Sequence, residues 1–184
     1  YFYWNKWKVN IVKLIIPPSI IGITIGSLTF SYISDDGVRI IIGSIAIFFI
    51  LFTVLQSGNF IIKPTKIKGI FWSTVAGYTS FLIHAGGPPL NFYLLPQKMD
   101  KTIYVATFTL AFAIINAVKL IPYYFLGQLA LSNMIISLIL LPLAPIGIIF
   151  GYYLHKKVSE KIFYNFIYFF LAIGGLKLIY DGIF

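Results

Sequence analysis

The residues best suited to chemistry surround a helix-breaking stretch, His84-Ala85-Gly86-Gly87-Pro88-Pro89, that interrupts an apolar run. Inside a bilayer, irregular backbone is tolerated only where protein or a water-filled cavity covers it. A helix beginning at Pro88 would point its positive dipole end, with the amides of Gly86 and Gly87, into the membrane interior. Such a helix start binds anions. The alternative is that the stretch only lets two helices kink and pack.

Three polar side chains within predicted spans could assist an anion site: His84, Asn116 and Lys119. His84 directly precedes the break and could bind an anion or carry a proton, or it could be a neutral core histidine bonded to a carbonyl. Asn116 and Lys119 are three residues apart and therefore share a helix face. A lysine at mid-membrane costs about 2.5–3.5 kcal/mol, which favours a functional role. Lys119 could instead extend to the nearby interface.

The acidic residues all fall in predicted loops or at span ends, which disfavours cation transport and proton coupling through a buried carboxylate. They are Asp35, Asp36, Asp100, Glu160 and Asp181. The chain has no cysteine, no HExxH motif, no Ser/His/Asp array and no phosphate-binding loop. We therefore predict no enzyme activity, no metal site and no cofactor. His155, by contrast with His84, is predicted to lie solvated in a lysine-rich loop.

The composition is that of an all-α, polytopic membrane protein, since 59% of residues are hydrophobic, 10% are charged and the mean hydropathy is +0.92. The net charge of +9 comes mostly from lysines at span ends, where the inner leaflet favours them, so nucleic acid is not an expected partner. The predicted spans are Val9–Phe30, Val38–Leu55, the interrupted Gly69–Gln97, Thr102–Leu126, Asn133–Leu154 and Ile162–Tyr180. The turn over residues 34–37 is predicted to separate the first two.

The spacing of small residues suggests an internal repeat. Gly22 and Gly26 recur as Gly147 and Gly151, each pair following a proline and preceding a short polar loop and one more span. Such pairs let helices approach closely and are common in membranes, so chance explains them as readily as duplication. Under duplication, 1–184 is a single transporter unit in which 1–68 is the remainder of a first repeat with its connecting loop. Residues 69–184 are then the second repeat, and the chain is N-terminally incomplete.

The lysines distinguish two threadings of the interrupted element. If the element crosses the membrane fully, five basic residues lie on one side and six on the other, so the positive-inside rule favours neither orientation. If it forms a re-entrant hairpin, ten lysines lie on one side and only Arg39 lies on the other. We favour the hairpin, with the lysine-rich face in the cytoplasm and the two repeats inverted. The unequal arms keep a broken, crossing helix open as the alternative. The ten are Lys6, Lys8, Lys63, Lys66, Lys68, Lys98, Lys101, Lys156, Lys157 and Lys161.

Two motifs in this sequence resemble those of the TauE/SafE family, the 4-toluene sulfonate uptake permeases that include sulfite exporters. They are the run from Ser80 to Pro89 with Tyr93-Leu94-Leu95-Pro96-Gln97, and Asn116-x-x-Lys119-x-x-Pro122-Tyr123. The resemblance covers nearly the whole chain. It implies a multi-pass transporter of the bacterial inner membrane with two related halves and a small sulfur-containing anion as substrate. The family's first-half glycine-rich motif is absent, which agrees with an incomplete chain.

The leading hypothesis is a secondary transporter, a permease or exporter, of a small anion such as sulfite or an organosulfonate. Gly86, Gly87 and Pro88 would bind the anion, with the three polar side chains as secondary ligands. The lipid bilayer is the other expected partner, while a proton or sodium coupling ion and the oligomeric state stay open. The alternative is a non-transporting membrane scaffold, in which glycine pairs and the aromatic face of residues 163–170 bind other helices.

Overall fold

A computed structural model describes residues 3–32, 34–55, 64–129 and 131–184. These residues form α-helices and one 3₁₀ turn, and no strand occurs among them, so the predicted all-α class is confirmed. Among the described residues, three helices are long and apolar enough to cross a membrane, namely Val9–Thr29, Lys101–Phe125 and Glu160–Ile183. The helices are α1 (Val9–Thr29), α2 (Asp35–Leu55), α3 (Lys66–Ile83), α4 (Gly87–Leu94), α5 (Lys101–Phe125), α6 (Leu131–Leu140), α7 (Leu143–Lys157) and α8 (Glu160–Ile183), with the 3₁₀ turn at Leu95–Gln97.

Helices α1 and α3 pack closely and run in the same direction. The Ser19 hydroxyl donates to the Ser73 carbonyl at 3.1 Å, and further along the same two helices Gly26 lies against Phe81. Gly22, between them, leaves no room for a Cβ atom against the α3 backbone. The close approach predicted for this glycine pair is therefore present, with α3 as the partner helix.

Helices α2 and α8 pack antiparallel, with Gly43 against Gly175 and Gly182 against Asp36. The turn predicted over residues 34–37 was wrong, because α2 already begins at Asp35. Acidic side chains are favourable at a helix N-terminus, where they face the positive end of the dipole, and that preference explains the longer helix. Near the end of α8, Lys177 pairs with Asp181, at 2.5 Å between Nζ and Oδ2.

The interrupted element forms a hairpin. Helix α4 folds back along α3, so that the Phe92 ring stacks on Trp72 at 4.4 Å between centroids. One residue further along α4, the Tyr93 ring lies against Gly69, near the beginning of α3. The end of the second arm therefore returns to the start of the first arm, and a full crossing does not fit this arrangement.

The starts of α1, α3, α5 and α8 meet at one end of the bundle, which we call the lysine-rich end. The Lys8 amide donates to Thr107 Oγ1 at 3.0 Å, and Lys101 Nζ donates to the carbonyl of His155 at 2.8 Å. The Tyr164 hydroxyl, on α8, donates to the Met99 carbonyl just before α5. Lys63, which was predicted to lie here too, falls outside the described residues. The described lysines at this end are Lys6, Lys8, Lys66, Lys68, Lys98, Lys101, Lys156, Lys157 and Lys161.

The span predicted as Asn133–Leu154 is two helices, α6 and α7, joined by a turn at positions 141 and 142. Pro142 and Pro145 lack amide hydrogens, so a continuous helix would lose two hydrogen bonds within one turn at this point. The prediction for His155 was also wrong, since it lies in the last turn of α7 with its Nε2 buried. Gly147 and Gly151 face open space, unlike Gly22, and the internal repeat stays a prediction.

Asp100 caps the start of α5, and its replacement tests that cap. Its Oδ1 accepts from the amides of Thr102 at 2.7 Å and Ile103 at 3.3 Å. Slight burial raises the pKa of the Asp100 carboxyl, but hydrogen bonds from these two amides, from Glu160 and from the Thr102 side chain together hold the pKa below its ordinary value. We expect Asp100→Ala to lower the free energy of unfolding at neutral pH by about 1 kcal/mol.

The stabilisation by the Asp100 carboxylate is present above the carboxyl's unfolded-state pKa and disappears as pH falls through its lower folded-state pKa. Thermal melting of wild type and Asp100→Ala in detergent should therefore converge at acid pH. Asp100→Asn is the matched control, because an amide caps helices without titrating. A difference between wild type and Asp100→Ala that does not change with pH would contradict the carboxylate cap.

Candidate functional site

Hydrogen bonds to Thr79 stabilise the break at the end of α3. His84 ends this helix with φ of 56°, in the left-handed region that histidine enters more readily than most residues, and its amide donates to the Thr79 carbonyl. The Ala85 amide donates to the same carbonyl at 3.3 Å, while the Thr79 hydroxyl donates to the Ala85 carbonyl at 3.1 Å. One buried threonine thus satisfies three backbone groups of the break.

Replacing Thr79 by valine keeps its shape and removes the hydroxyl. The partly buried Ala85 carbonyl then loses its donor, which costs about 1 kcal/mol. We expect Thr79→Val to lower the melting temperature of the purified protein. Thr24→Val is the control, since the Thr24 hydroxyl bonds only the Ile20 carbonyl of its own exposed helix turn. Equal melting temperatures for the two variants would show that Thr79 does not support the break.

A glycine is required at position 86, because the tip of the hairpin has no room for a side chain there. Its φ of −76° suits any residue, but a Cβ atom would lie 2.6 Å from both the Ala76 carbonyl oxygen and the Ser80 Cβ. The absence of a side chain lets the start of α4 lie directly on the last turns of α3. Gly87 has no such constraint, since the nearest atom to its Cβ would be 3.8 Å away on the Phe108 ring.

The start of α4 leaves amides available to a ligand. Pro88 and Pro89 occupy early positions of the first turn, where a missing amide hydrogen costs nothing. Among the described residues, the amides of Gly86 and Gly87 have no hydrogen-bond acceptor. The predicted pair of glycine amides at a helix start is therefore present in the geometry, with Gly86 buried and Gly87 partly exposed at the tip of the hairpin.

A cleft of about 660 Å³ lies between α4, α5 and α8, and Gly87 and Pro88 line it. Asn91 lies four residues after Gly87 and so shares its helix face. The Tyr104 hydroxyl donates to Asn91 Oδ1 at 2.6 Å, and Asn91 is only 7% exposed. With Oδ1 engaged, the Asn91 side-chain amide Nδ2 is the group left to meet a ligand in the cleft.

Lys119 lies behind the tip and is only 3% exposed, so it does not extend to the membrane interface. Its Nζ donates to the carbonyl of Ser80 at 2.9 Å and to the Ser80 hydroxyl at 3.2 Å. The Nδ1 of His84 is 3.4 Å from the same nitrogen, and the Tyr123 ring centroid is 5.9 Å away. The Tyr123 hydroxyl donates to the Phe81 carbonyl at 2.7 Å, which ties α5 to the same turn of α3.

The structure brings five of the six predicted site residues to the hairpin tip, though on two sides of it. Gly87 and Pro88 line the cleft, with Gly86 buried beneath them, whereas Lys119 and His84 meet each other beside the last turn of α3. The sixth residue, Asn116, is exposed on α5. Within the described part of the chain, neither Lys119 nor His84 lines the cleft.

Asn91 and Tyr104 are site residues that the sequence patterns did not single out. The four-residue spacing from Gly87 to Asn91 carries a signal, because it places both on one face of a helix beginning at the break. Tyr104 carries none, since its contact with Asn91 depends on how α5 packs against α4. Thr79 and Ser80 likewise act through contacts that spacing alone does not reveal.

Comparisons with known proteins bear on the class of protein. Searches of curated proteins and of solved structures find no match. The sequence model of the family described as "Sulfite exporter TauE/SafE" matches residues 1–178, nearly the whole chain. The resemblance seen around the hairpin thus extends from α1 into α8. The chain belongs to the sulfite exporter TauE/SafE family and is a membrane transport protein.

Proposed function

We propose that this chain is a secondary transporter that moves sulfite or an organosulfonate across a bacterial inner membrane. The observation that carries the proposal is the hairpin, whose tip presents the start of α4 to a cleft between α4, α5 and α8. Secondary transporters bind substrates at interrupted helices of this kind near the middle of the membrane. Membership of the sulfite exporter family supports a sulfur-containing anion.

The proposed anion site is a set of hydrogen-bond donors. The amides of Gly86 and Gly87 and the Asn91 Nδ2 lie on or beside one helix start, where the dipole supplies roughly half a positive charge. The oxygens of sulfite and sulfonates are acceptors, so they match a site that consists of donors. These donors are neutral, and the charged side chains that line the cleft, Lys177 and Asp181, pair with each other. Neutral donors keep binding weak enough for release on the other side.

Tyr104 is proposed as a positioning residue for this donor set. An asparagine amide can turn about its last bond, and the Tyr104 hydroxyl fixes it by donating to Oδ1. The two donor hydrogens of Nδ2 are then presented to the cleft before substrate arrives. Pre-ordered donors bind more tightly, because no side-chain freedom is lost on binding.

Lys119 is proposed to act on the anion through its charge. It is held by Ser80 behind the tip and does not line the cleft, so its effect is a positive potential at the helix start. His84, 3.4 Å from Lys119 Nζ, stays a proposed secondary ligand. Asn116 is exposed and does not enter the proposed donor set.

The proposed orientation places the lysine-rich end in the cytoplasm, because basic residues are retained on that side during insertion. Arg39 lies at the opposite end, where its guanidinium contacts Asp36 at 3.1 Å and so carries a partner for its charge. Both arms of the hairpin would then enter from the cytoplasmic side.

The test is flux of sulfite and of methanesulfonate in vesicles that contain the purified protein, with matched binding measurements. Asn91→Ala removes a donor to a charged ligand, worth about 1.5–3 kcal/mol, so affinity should fall about 10- to 100-fold. Tyr104→Phe should weaken affinity less, because Asn91 remains but is no longer held. Asn165→Ala, on the exposed side of α8, is the control and should bind normally.

Unchanged anion affinity in folded Asn91→Ala protein would remove the proposed donor set. Absence of both binding and flux for every oxyanion, in wild-type protein shown to be folded, would instead favour the alternative of a non-transporting membrane scaffold.

A further inference from the structure

A second cleft, of about 610 Å³, lies between the N-terminal segment, α5 and α7, and the proposed anion site does not use it. One wall is formed by Ala106, Leu110 and Ala113, whose spacing of four and three residues places them along one face of α5. Gly151 of α7 lies in the opposite wall and has open space around it. From position 106 to 113 the groove follows the helix axis for about 10 Å, away from the lysine-rich end.

The outer end of this groove is aromatic. Trp4 and Trp7 of the N-terminal segment meet edge to face at 5.4 Å between centroids, and both line the groove. The Tyr3 ring packs edge-on against Tyr152 at 6.0 Å and against His155 at 5.6 Å. Tryptophan and tyrosine collect where lipid headgroups meet hydrocarbon, so the groove opens at the level of the headgroups.

The same outer end is also basic. Lys156 Nζ lies 4.5 Å from the centroid of the Tyr152 ring, and the charges of Lys6 and Lys101 both act on His155, with Asp100 as the acidic neighbour. Lys101 is already engaged, since its Nζ bonds carbonyls at the end of α7. The His155 Nε2 is buried and, within the described residues, has no hydrogen-bond partner.

We propose that this groove binds one anionic phospholipid. An acyl chain lies along Ala106, Leu110 and Ala113, and the phosphate lies at the outer end near Lys156 and Lys6. The groove has the two-part character of that ligand, because it is apolar along its length and positively charged only at the end facing the headgroups. A soluble anion would use the charged end alone and would leave the apolar length empty. A second copy of the chain would cover the apolar length with its own helix and gain nothing from the lysines.

The experiment measures lipid retention by native mass spectrometry, together with thermal shift, on the purified chain. The probes are phosphatidylglycerol, phosphatidylcholine with the same acyl chains, and glycerol 3-phosphate. We expect retention and stabilisation with phosphatidylglycerol, weak effects with phosphatidylcholine and none with glycerol 3-phosphate. Equal effects of both lipids would overturn the charge recognition, and stabilisation by glycerol 3-phosphate would show a simple anion site instead.

Two matched variants place the lipid in the groove. Gly151→Leu fills it and should abolish retention of phosphatidylglycerol, whereas Gly147→Leu adds the same side chain one turn earlier, outside the groove lining, and should retain the lipid. Lys156→Gln should weaken phosphatidylglycerol binding about fivefold, as expected for one surface lysine. Full retention in Gly151→Leu would overturn the proposal. So would a change in oligomeric state in Gly151→Leu, which would assign the groove to a second copy.

Discussion

Gly86→Ala is expected to collapse the hairpin tip. The added Cβ would lie 2.6 Å from the Ala76 carbonyl oxygen, a backbone atom that moves only if α3 moves. Overpacking of this kind costs about 1–3 kcal/mol, and a backbone clash belongs at the upper end. For a chain of this size, about 3 kcal/mol corresponds to a fall of about 6–12 °C in the melting temperature. Anion flux should disappear as well, because the start of α4 loses its position.

Gly87→Ala separates this packing effect from a general effect of the glycine pair. Its Cβ would meet only the Phe108 ring, at an ordinary 3.8 Å, so the melting temperature should stay close to that of wild type. Gly147→Ala, in open space on α7, is the control for both stability and flux. If the melting temperature of Gly86→Ala equals that of these two variants, the tip is not packed on α3 as described.

Lys119→Gln is expected to weaken anion binding about tenfold while leaving the protein folded. At a separation on the order of 10 Å, a unit charge would be worth about 1.7 kcal/mol to the anion at an effective dielectric constant of about 20. The variant also removes the cost of keeping a charge in a buried site, and glutamine can still donate to Ser80, so stability should change little. Isothermal titration with sulfite in detergent, alongside thermal melting, measures both quantities.

Lys13→Gln is the matched control for Lys119→Gln, since Lys13 also lies within a predicted span but is exposed on α1. It should bind sulfite as the wild type does. Because Lys119 is buried, the loss in Lys119→Gln should persist in high salt, where exposed charges are screened. Equal affinities in the two variants would show that the lysine behind the tip serves packing alone.

Hydrophobicity and breakers were enough to predict most of the architecture. The lysine count correctly favoured a hairpin, because charge at the membrane surface depends on topology and is visible along the chain. The break at Pro142 was missed although the proline is visible in the sequence, since membrane helices often accommodate proline and only packing decides. The start of α2 was also misplaced, because Asp35 and Asp36 suit both a turn and a first helical turn.

The site was only partly predictable. The positions of Gly86, Gly87 and Pro88 at a helix start were predictable because backbone chemistry is local, and a glycine-proline break predicts its own free amides. Lys119 was singled out because a charge in a span is costly, but its partner Ser80 is thirty-nine positions away and is known only from the fold. The roles of these residues in anion binding stay predictions. The Asn91–Tyr104 pair depends in the same way on the packing of α4 against α5.

The hairpin has a consequence for biosynthesis. Because the first arm begins and the second arm ends at the lysine-rich end, no lysine that flanks the hairpin has to be translocated on insertion in the proposed orientation. The segment can therefore enter the bilayer after α1 is in place, docking its first arm on the small-residue face of Gly22 and Gly26. On this account, a bulky side chain at Gly22 would appear in cells first as failed assembly and degradation, before any defect in anion flux could be measured.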